Sequence, residues 1–146
     1  MLRFKQFIIE SAQYQQLKND AKKLDLPSFL NKYSVEGQHI TNQKHMAPHH
    51  HFEISHLDPS EHDSWENPDL SPRMLDTVNK LRSRIATDKS SIEPVLVQGM
   101  PDDKKFRPQV LDGHHRTIAA YREGLKTVPG WFDNGTLKQI HKQANK

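Results

Sequence analysis

The chain has no cysteine. Disulfides, thiolate zinc centres and cysteine nucleophiles are excluded at once. Long apolar runs are missing too: the longest are a few residues, against the roughly 20 needed to span a bilayer. The first residues hold no secretory hydrophobic region either. No membrane partner is expected, and the composition reads as that of a soluble protein working inside a cell. Aromatic residues are only 8% and hydrophobic residues 34% of 146, against 27% charged. That balance predicts one modest core with much loop around it, a single domain with an appended arm.

Histidine, by contrast, is abundant, with ten residues beside 21 Lys and Arg and 18 Asp and Glu, for a formal net charge of +3. A pI near 9.1 suits a nucleic-acid or nucleotide partner without demanding one. The histidines make the charge pH-dependent near neutrality. His45, His49, His50, His51, His56 and His62 together suggest metal binding. Adjacent side chains seldom converge on one ion, however, and on a strand His49 and His51 share a face that His56 does not.

Residues 2–24 read as an amphipathic helix, with Phe4, Phe7, Ile8, Leu17, Ala21 and Leu24 near a 3.6-residue period. A shorter helix follows Pro27 and turns Phe29 and Leu30 inward. These pieces make an N-terminal arm, 1–34. Residues 35–49 lack periodicity and read as a linker. Residues 51–57 alternate as a strand ended by Asp58-Pro59, 61–72 read as loop, and Met74, Leu75, Val78, Leu81 and Ile85 recur at helical spacing. Short β-branched runs at 94–98 and 107–111 predict two strands joined by a hairpin loop. A helix beginning at His114 or His115 ends at Gly124, and a last strand spans 127–132. The stretch 135–146 carries three lysines and reads as a basic C-terminal tail, a short helix or a frayed end.

The most informative segment is Asp112-Gly113-His114-His115-Arg116, where a strand hands over to a helix. Backbone N–H groups at a helix start lack intrahelical partners and carry the positive end of the macrodipole, so with Arg116 they favour a phosphate. The guanidinium can hold two phosphate oxygens in a planar fork. Gly113, His114, His115, Arg116 and Thr117 are the expected phosphate- or nucleotide-binding residues. His114 or His115 would move a proton, only one of the two facing the ligand. Asp112 would ligate Mg2+ or another divalent cation carried by the phosphates, or would cap the helix. Glu93, just before the 94–98 strand, is a candidate base near the same pocket or a surface carboxylate.

With those residues in place, 50–134 resembles the ParB/sulfiredoxin-like superfamily, specifically its ParB N-terminal-like domains. The features that carry the resemblance run in order along the chain. Ile54 to Pro59 is a strand with an acid/proline turn, Leu75 to Ile85 a helix, and Pro94 to Val97 a Pro-apolar-apolar-Val strand. Val110 to Arg116 is the strand and Gly-His-His-Arg turn; Ala119-Ala120, Gly124-Leu125 and Val128-Pro129 follow. The resemblance implies an α+β fold, a small mixed sheet flanked by helices, with a phosphate held at Gly113 to Arg116. Members include CTP-hydrolysing ParB proteins, ATP-using sulfiredoxins, free-serine kinases and ParB-like nucleases. Only 14 residues follow Phe132, too few for partition-type DNA-binding and dimerisation domains. Sulfiredoxin chemistry needs the missing cysteine.

The first ten residues resemble the capsid-targeting leader of internal head proteins in T-even-type tailed phages, a Phe-x-x-Phe-Ile/Leu-x-Glu stretch. The resemblance implies processing between Glu10 and Ser11, a phage capsid as partner during assembly, and the virion interior and then the host cytoplasm as locations. The alternative is a plain helix end docked on the core. The functional expectation is a nuclease-type enzyme acting on nucleic acid or nucleotide with a divalent metal. The alternatives are a kinase acting on a small metabolite such as free serine, and a non-catalytic protein holding a host factor or DNA.

Overall fold

The computed structural model describes residues 11–37, 46–59, 62 and 64–146. Helix α1 (Ala12–Lys23) starts at Ser11, whose side chain accepts the Tyr14 N–H. It buries Tyr14, Leu17 and Ala21, the one-sided stripe of an amphipathic helix. The residues before Ser11, with Glu10 and the leader-like stretch, lie outside the described ones. Helix α2 (Leu26–Tyr33) begins with Asp25 capping Ser28 and Pro27 in its first turn. It places Phe29 in the core.

Strand β1 (His50–Glu53) is shorter than the alternation at 51–57 predicts, because the chain turns into a 3-10 segment at Ile54–His56. Its partner β4 (Thr127–Phe132) runs antiparallel and begins opposite Glu53. Beyond that point the β4 strand does not extend, and the Ile54 N–H bonds Lys126 O at 2.9 Å as the chain turns. The 3-10 turn also puts Ile54 and Leu57, both buried, on one side, where a continued strand would split them. Helix α3 (Pro72–Thr87), capped by Ser71, matches the predicted helix. Strands β2 (Val95–Gln98) and β3 (Gln109–Asp112) pair antiparallel, and β2 lies parallel to β4. Helix α4 (His114–Arg122) links β3 to β4, and α5 (Asn134–Ala144) follows. The fold is α+β: among the described residues, five α-helices stand on a four-stranded mixed sheet of order β1-β4-β2-β3.

The structure adjusts three expectations. Of the readings of 135–146, the short helix is the one that forms, not a frayed tail. Leu137 and Ile140 are buried, and α5 is fastened to the end of β2 by Asp133 N–H donating to the Val97 carbonyl at 2.9 Å and Gly99 N–H donating to Thr136 Oγ1 at 2.8 Å. Nor is 35–49 a plain linker. Val35 is buried, and before β1 the Trp131 indole donates to Ala47 O at 3.0 Å while His49 N–H donates to Gly130 O at 2.8 Å. Residues 38–45, with His45, lie outside the described ones. Arg107, finally, is no strand residue. Its guanidinium donates to the carbonyls of Ser55, His56 and Leu57 at 2.8, 3.3 and 2.7 Å, closing the end of the 3-10 turn.

Two of the clustered histidines, His49 and His50, are buried in structural roles. His50 packs edge-on against Phe52 and takes the Ser11 hydroxyl on Nδ1 at 2.7 Å. His49 Nδ1 accepts the Phe132 N–H at 3.1 Å, and burial pushes its pKa down to about 4. Among the described residues no three His, Asp or Glu side chains gather as a metal site.

His49 makes the fold acid-sensitive. A base whose folded pKa lies below its unfolded value of about 6.5 stabilises the fold when neutral. The contribution is fully present above pH 6.5 and is lost as pH falls toward 4. At 1.36 kcal/mol per unit the loss is about 3 kcal/mol. Urea midpoints measured at pH 7 and pH 4.5 should show it, and His49→Gln should flatten the difference.

Candidate functional site

The predicted turn is built on one backbone conformation. Gly113 has φ 108° and ψ 25°, a region closed to most L-residues. A Cβ at Gly113 would stand 2.6 Å from Val95 Cγ1, inside the core. The glycine thus lets β3 turn into α4 at van der Waals contact with β2. Beyond it the helix buries Thr117, Ile118, Ala119 and Ala120 and leaves its first turn at the surface of a cleft.

That first turn is chemically unusual for this protein. Side chains of Ser11, Asp25, Ser71 and Asp133 cap α1, α2, α3 and α5, whereas no side chain caps α4. Thr117 N–H bonds Gly113 O at 3.0 Å; the preceding amides, including those of His115 and Arg116, have no acceptor within the helix. The capping role considered for Asp112 is therefore not the one it takes. Its exposed carboxylate lines the cleft instead.

The cleft encloses about 510 Å³. One wall is α3, through Met74, Thr77, Leu81, Arg84 and Ile85; another is Ser91, Ile92 and Glu93 before β2; the third is Asp112 to Arg116, with His62 completing the rim. The structure thus brings Asp112, Gly113, His114, His115, Arg116 and Glu93 together. It does not bring Thr117, whose side chain is wholly buried and whose hydroxyl donates to Gly113 O at 3.0 Å. At the fourth residue past Gly113 the helix has already turned its face to the core, so Thr117 is withdrawn as a phosphate ligand.

Arg116 is braced. Its Nη1 donates to Pro94 O at 2.9 Å and its Nη2 lies 3.4 Å from Glu93 Oε2. Two of the five guanidinium donors are thus engaged, and the side chain stays about a third exposed. Glu93, expected as a base, sits in the cleft as the partner that orients this arginine. Both histidines of the turn line the cleft, and His114 also packs, with its Nε2 buried. The His114 ring lies 5.9 Å from that of His62 and 6.3 Å from that of Trp65, whose indole donates to Leu57 O at 3.0 Å.

Arg84 and His62 are the cleft residues that the turn motif does not announce. Arg84 enters no ion pair with a described residue, unlike Arg82, which holds Glu123 at 2.9 Å. The usable signal was the helical spacing of Thr77, Leu81 and Arg84, three and four residues apart on one face.

The Gly113 geometry has a measurable price. Gly113→Ala should cost about 3 kcal/mol, from a left-handed φ and a clash with Val95. Gly124→Ala, at φ 79° with open space around it, should cost about 1 kcal/mol. Paired urea unfolding curves compare the two.

No protein-family model matches the chain, and no curated protein matches it. Among solved structures it is similar to the C-terminally truncated chromosome-partitioning protein ParB from Caulobacter crescentus, complexed with CTP-γ-S, at 26% identity and a TM-score of 0.37. The likeness covers 62% of this chain and 48% of that one, so the chain spans about half the length of that protein.

Proposed function

We propose that the cleft binds the phosphates of a nucleotide at the start of α4. The observation that carries the reading is the uncapped first turn: of the five α-helices among the described residues, the one without a side-chain cap opens into a cleft. An anion there does what Ser or Asp does at the other four, accepting amide hydrogens at the positive end of the helix. Arg116, held by Glu93 and Pro94, offers its remaining donors from a fixed position.

The charge balance refines the ligand. Arg84 and Arg116 are matched by Asp112 and Glu93 along the same walls. A di- or triphosphate entering a site of near-zero formal charge needs further positive charge. A magnesium ion bound to phosphate oxygens and to one carboxylate supplies it, and Asp112 is the carboxylate without a hydrogen-bond or ion-pair partner among the described residues. The apolar patch of Met74, Leu81 and Ile92 offers a face for the rest of the ligand. The cleft's volume suits a mononucleotide, and two carboxylates at its edge disfavour a duplex. His114 and His115, beside the helix start, are the groups placed to move a proton in phosphoryl transfer or hydrolysis.

The test is thermal unfolding with ADP, ATP and CTP, each with magnesium. A nucleotide at 100 times its dissociation constant should add roughly 2.7 kcal/mol. Arg116→Ala should abolish the shift while keeping the fold. A nucleotide shift unchanged in Arg116→Ala, or no shift with any of the three, would falsify the assignment.

A further inference from the structure

We propose that the end of the molecule where α1 and α5 finish together is a docking surface for the phosphate backbone of a nucleic acid, separate from the cleft. The two helices are tied at their C-termini. Asn145 Nδ2 donates to Ala21 O at 2.9 Å, and the His141 ring bonds Leu24 O at 2.8 Å. Their last turns therefore present one continuous surface. It carries Lys22 and Lys23 from α1 and Lys142 and Lys146 from the α5 end, with Lys138 one turn back, all exposed.

These lysines are not spent inside the protein. None of the five pairs with a described acid, whereas Lys32 holds Asp20 at 2.7 Å and Lys80 holds Asp76 at 3.2 Å. Of the acids on α1 and at the start of α2, Asp20 is committed to Lys32 and Tyr33, and Asp25 caps α2 through the Ser28 N–H at 2.8 Å. The two helix C-termini together carry about one negative charge. With Asp25 counted as well, roughly three positive charges are left over. The lysines exceed what neutralising the helix ends requires.

The pattern favours nucleic acid over a lipid surface. The exposed face of α5 holds Lys138, Gln139, Lys142 and Gln143. The large apolar side chains that reach solvent, Met74, Leu75, Phe106, Leu111 and Tyr121, lie on other elements. A helix that lies in a bilayer interface needs an apolar face, and among the described residues none is offered here. Lys138 and Lys142 stand one turn apart, about 6 Å along α5, and Lys146 follows its C-cap, Asn145.

Anisotropy of a labelled 20-base-pair duplex, titrated with the full chain between 50 and 200 mM salt, tests the surface. Five phosphate contacts give log K against log salt a slope of roughly −4. The combined variant Lys22→Gln, Lys23→Gln and Lys142→Gln should reduce the slope to roughly −2 and weaken binding at least about tenfold at 50 mM salt. Its unfolding midpoint and any nucleotide shift should be those of the parent, since none of the three lines the cleft. Absence of duplex binding at 50 mM salt, or a variant that keeps the parental slope, overturns the proposal. So does equal loss of slope when three exposed lysines elsewhere (Lys80, Lys89 and Lys104) are exchanged. A lost nucleotide response with intact duplex binding would instead strike the cleft reading alone.

Discussion

The contact between Gly113 and Val95 is the constraint on which the rest of the site depends. Val95 is completely buried in β2, and the chain leaving β3 must pass it with no side chain between them. Only a residue at positive φ without a Cβ makes that passage. The same passage aims α4. It sends Thr117 to Ala120 into the core and leaves the amides ahead of them at the cleft. Ala119 and Ala120, both wholly buried, keep α4 close to its neighbours. An anion site of this kind is a consequence of close packing as much as of charge. A first turn pushed outward by a larger residue would lose its packing on β2 and carry Arg116 away from Pro94 O and Glu93.

A chain with only 34% hydrophobic residues has to join its elements with polar groups, and their order here is consistent. Each connection uses a side chain to satisfy backbone atoms that the fold leaves open. Arg107 answers three carbonyls at the 3-10 turn, and Thr136 answers the Gly99 amide. His49 answers the Phe132 amide after its strand has left β1. Asp20 gathers Lys32, Tyr33 and Gln16 and ties α1 to α2, and those bonds hold its carboxyl below the usual range. Arg116 belongs to this class by its bond to Pro94 O. It differs in having donors left over and a cleft in front of them.

Much of this was legible from local patterns. The β4 strand, the helix ending near Gly124 and the helix spanning Met74 to Ile85 rest on periodicity, caps and glycine, which the neighbouring residues decide. The failures share a cause. The pairing of β1 stops where β4 begins, and nothing between His51 and Leu57 encodes that. The packing of α5 rests on two apolar residues, Leu137 and Ile140, too few to mark a buried face until α1 supplies the other side. Thr117 looked like a phosphate ligand because it adjoins Arg116 in sequence, yet one residue along a helix is about a quarter turn. Arg84 lies outside the Asp112 to Arg116 turn, because its position depends on how α3 crosses α4. The turn motif located the site, and tertiary packing chose its members.

Two surfaces with opposite electrostatic logic follow from this arrangement. In the cleft, Arg84 and Arg116 stand against Asp112 and Glu93, so attraction at long range is weak and selection rests on geometry: amide directions, a braced guanidinium, a limited volume. At the joined ends of α1 and α5 the positive charges are unbalanced and mobile on flexible stems. Attraction there reaches about a Debye length, near 8 Å at physiological salt, and carries little directional information. A small ligand in the cleft and a polyanion on the lysine surface would then not compete for the same groups. On the proposed readings, the cleft would discriminate by fit at short range, and the lysine surface would gather by field and yield to salt.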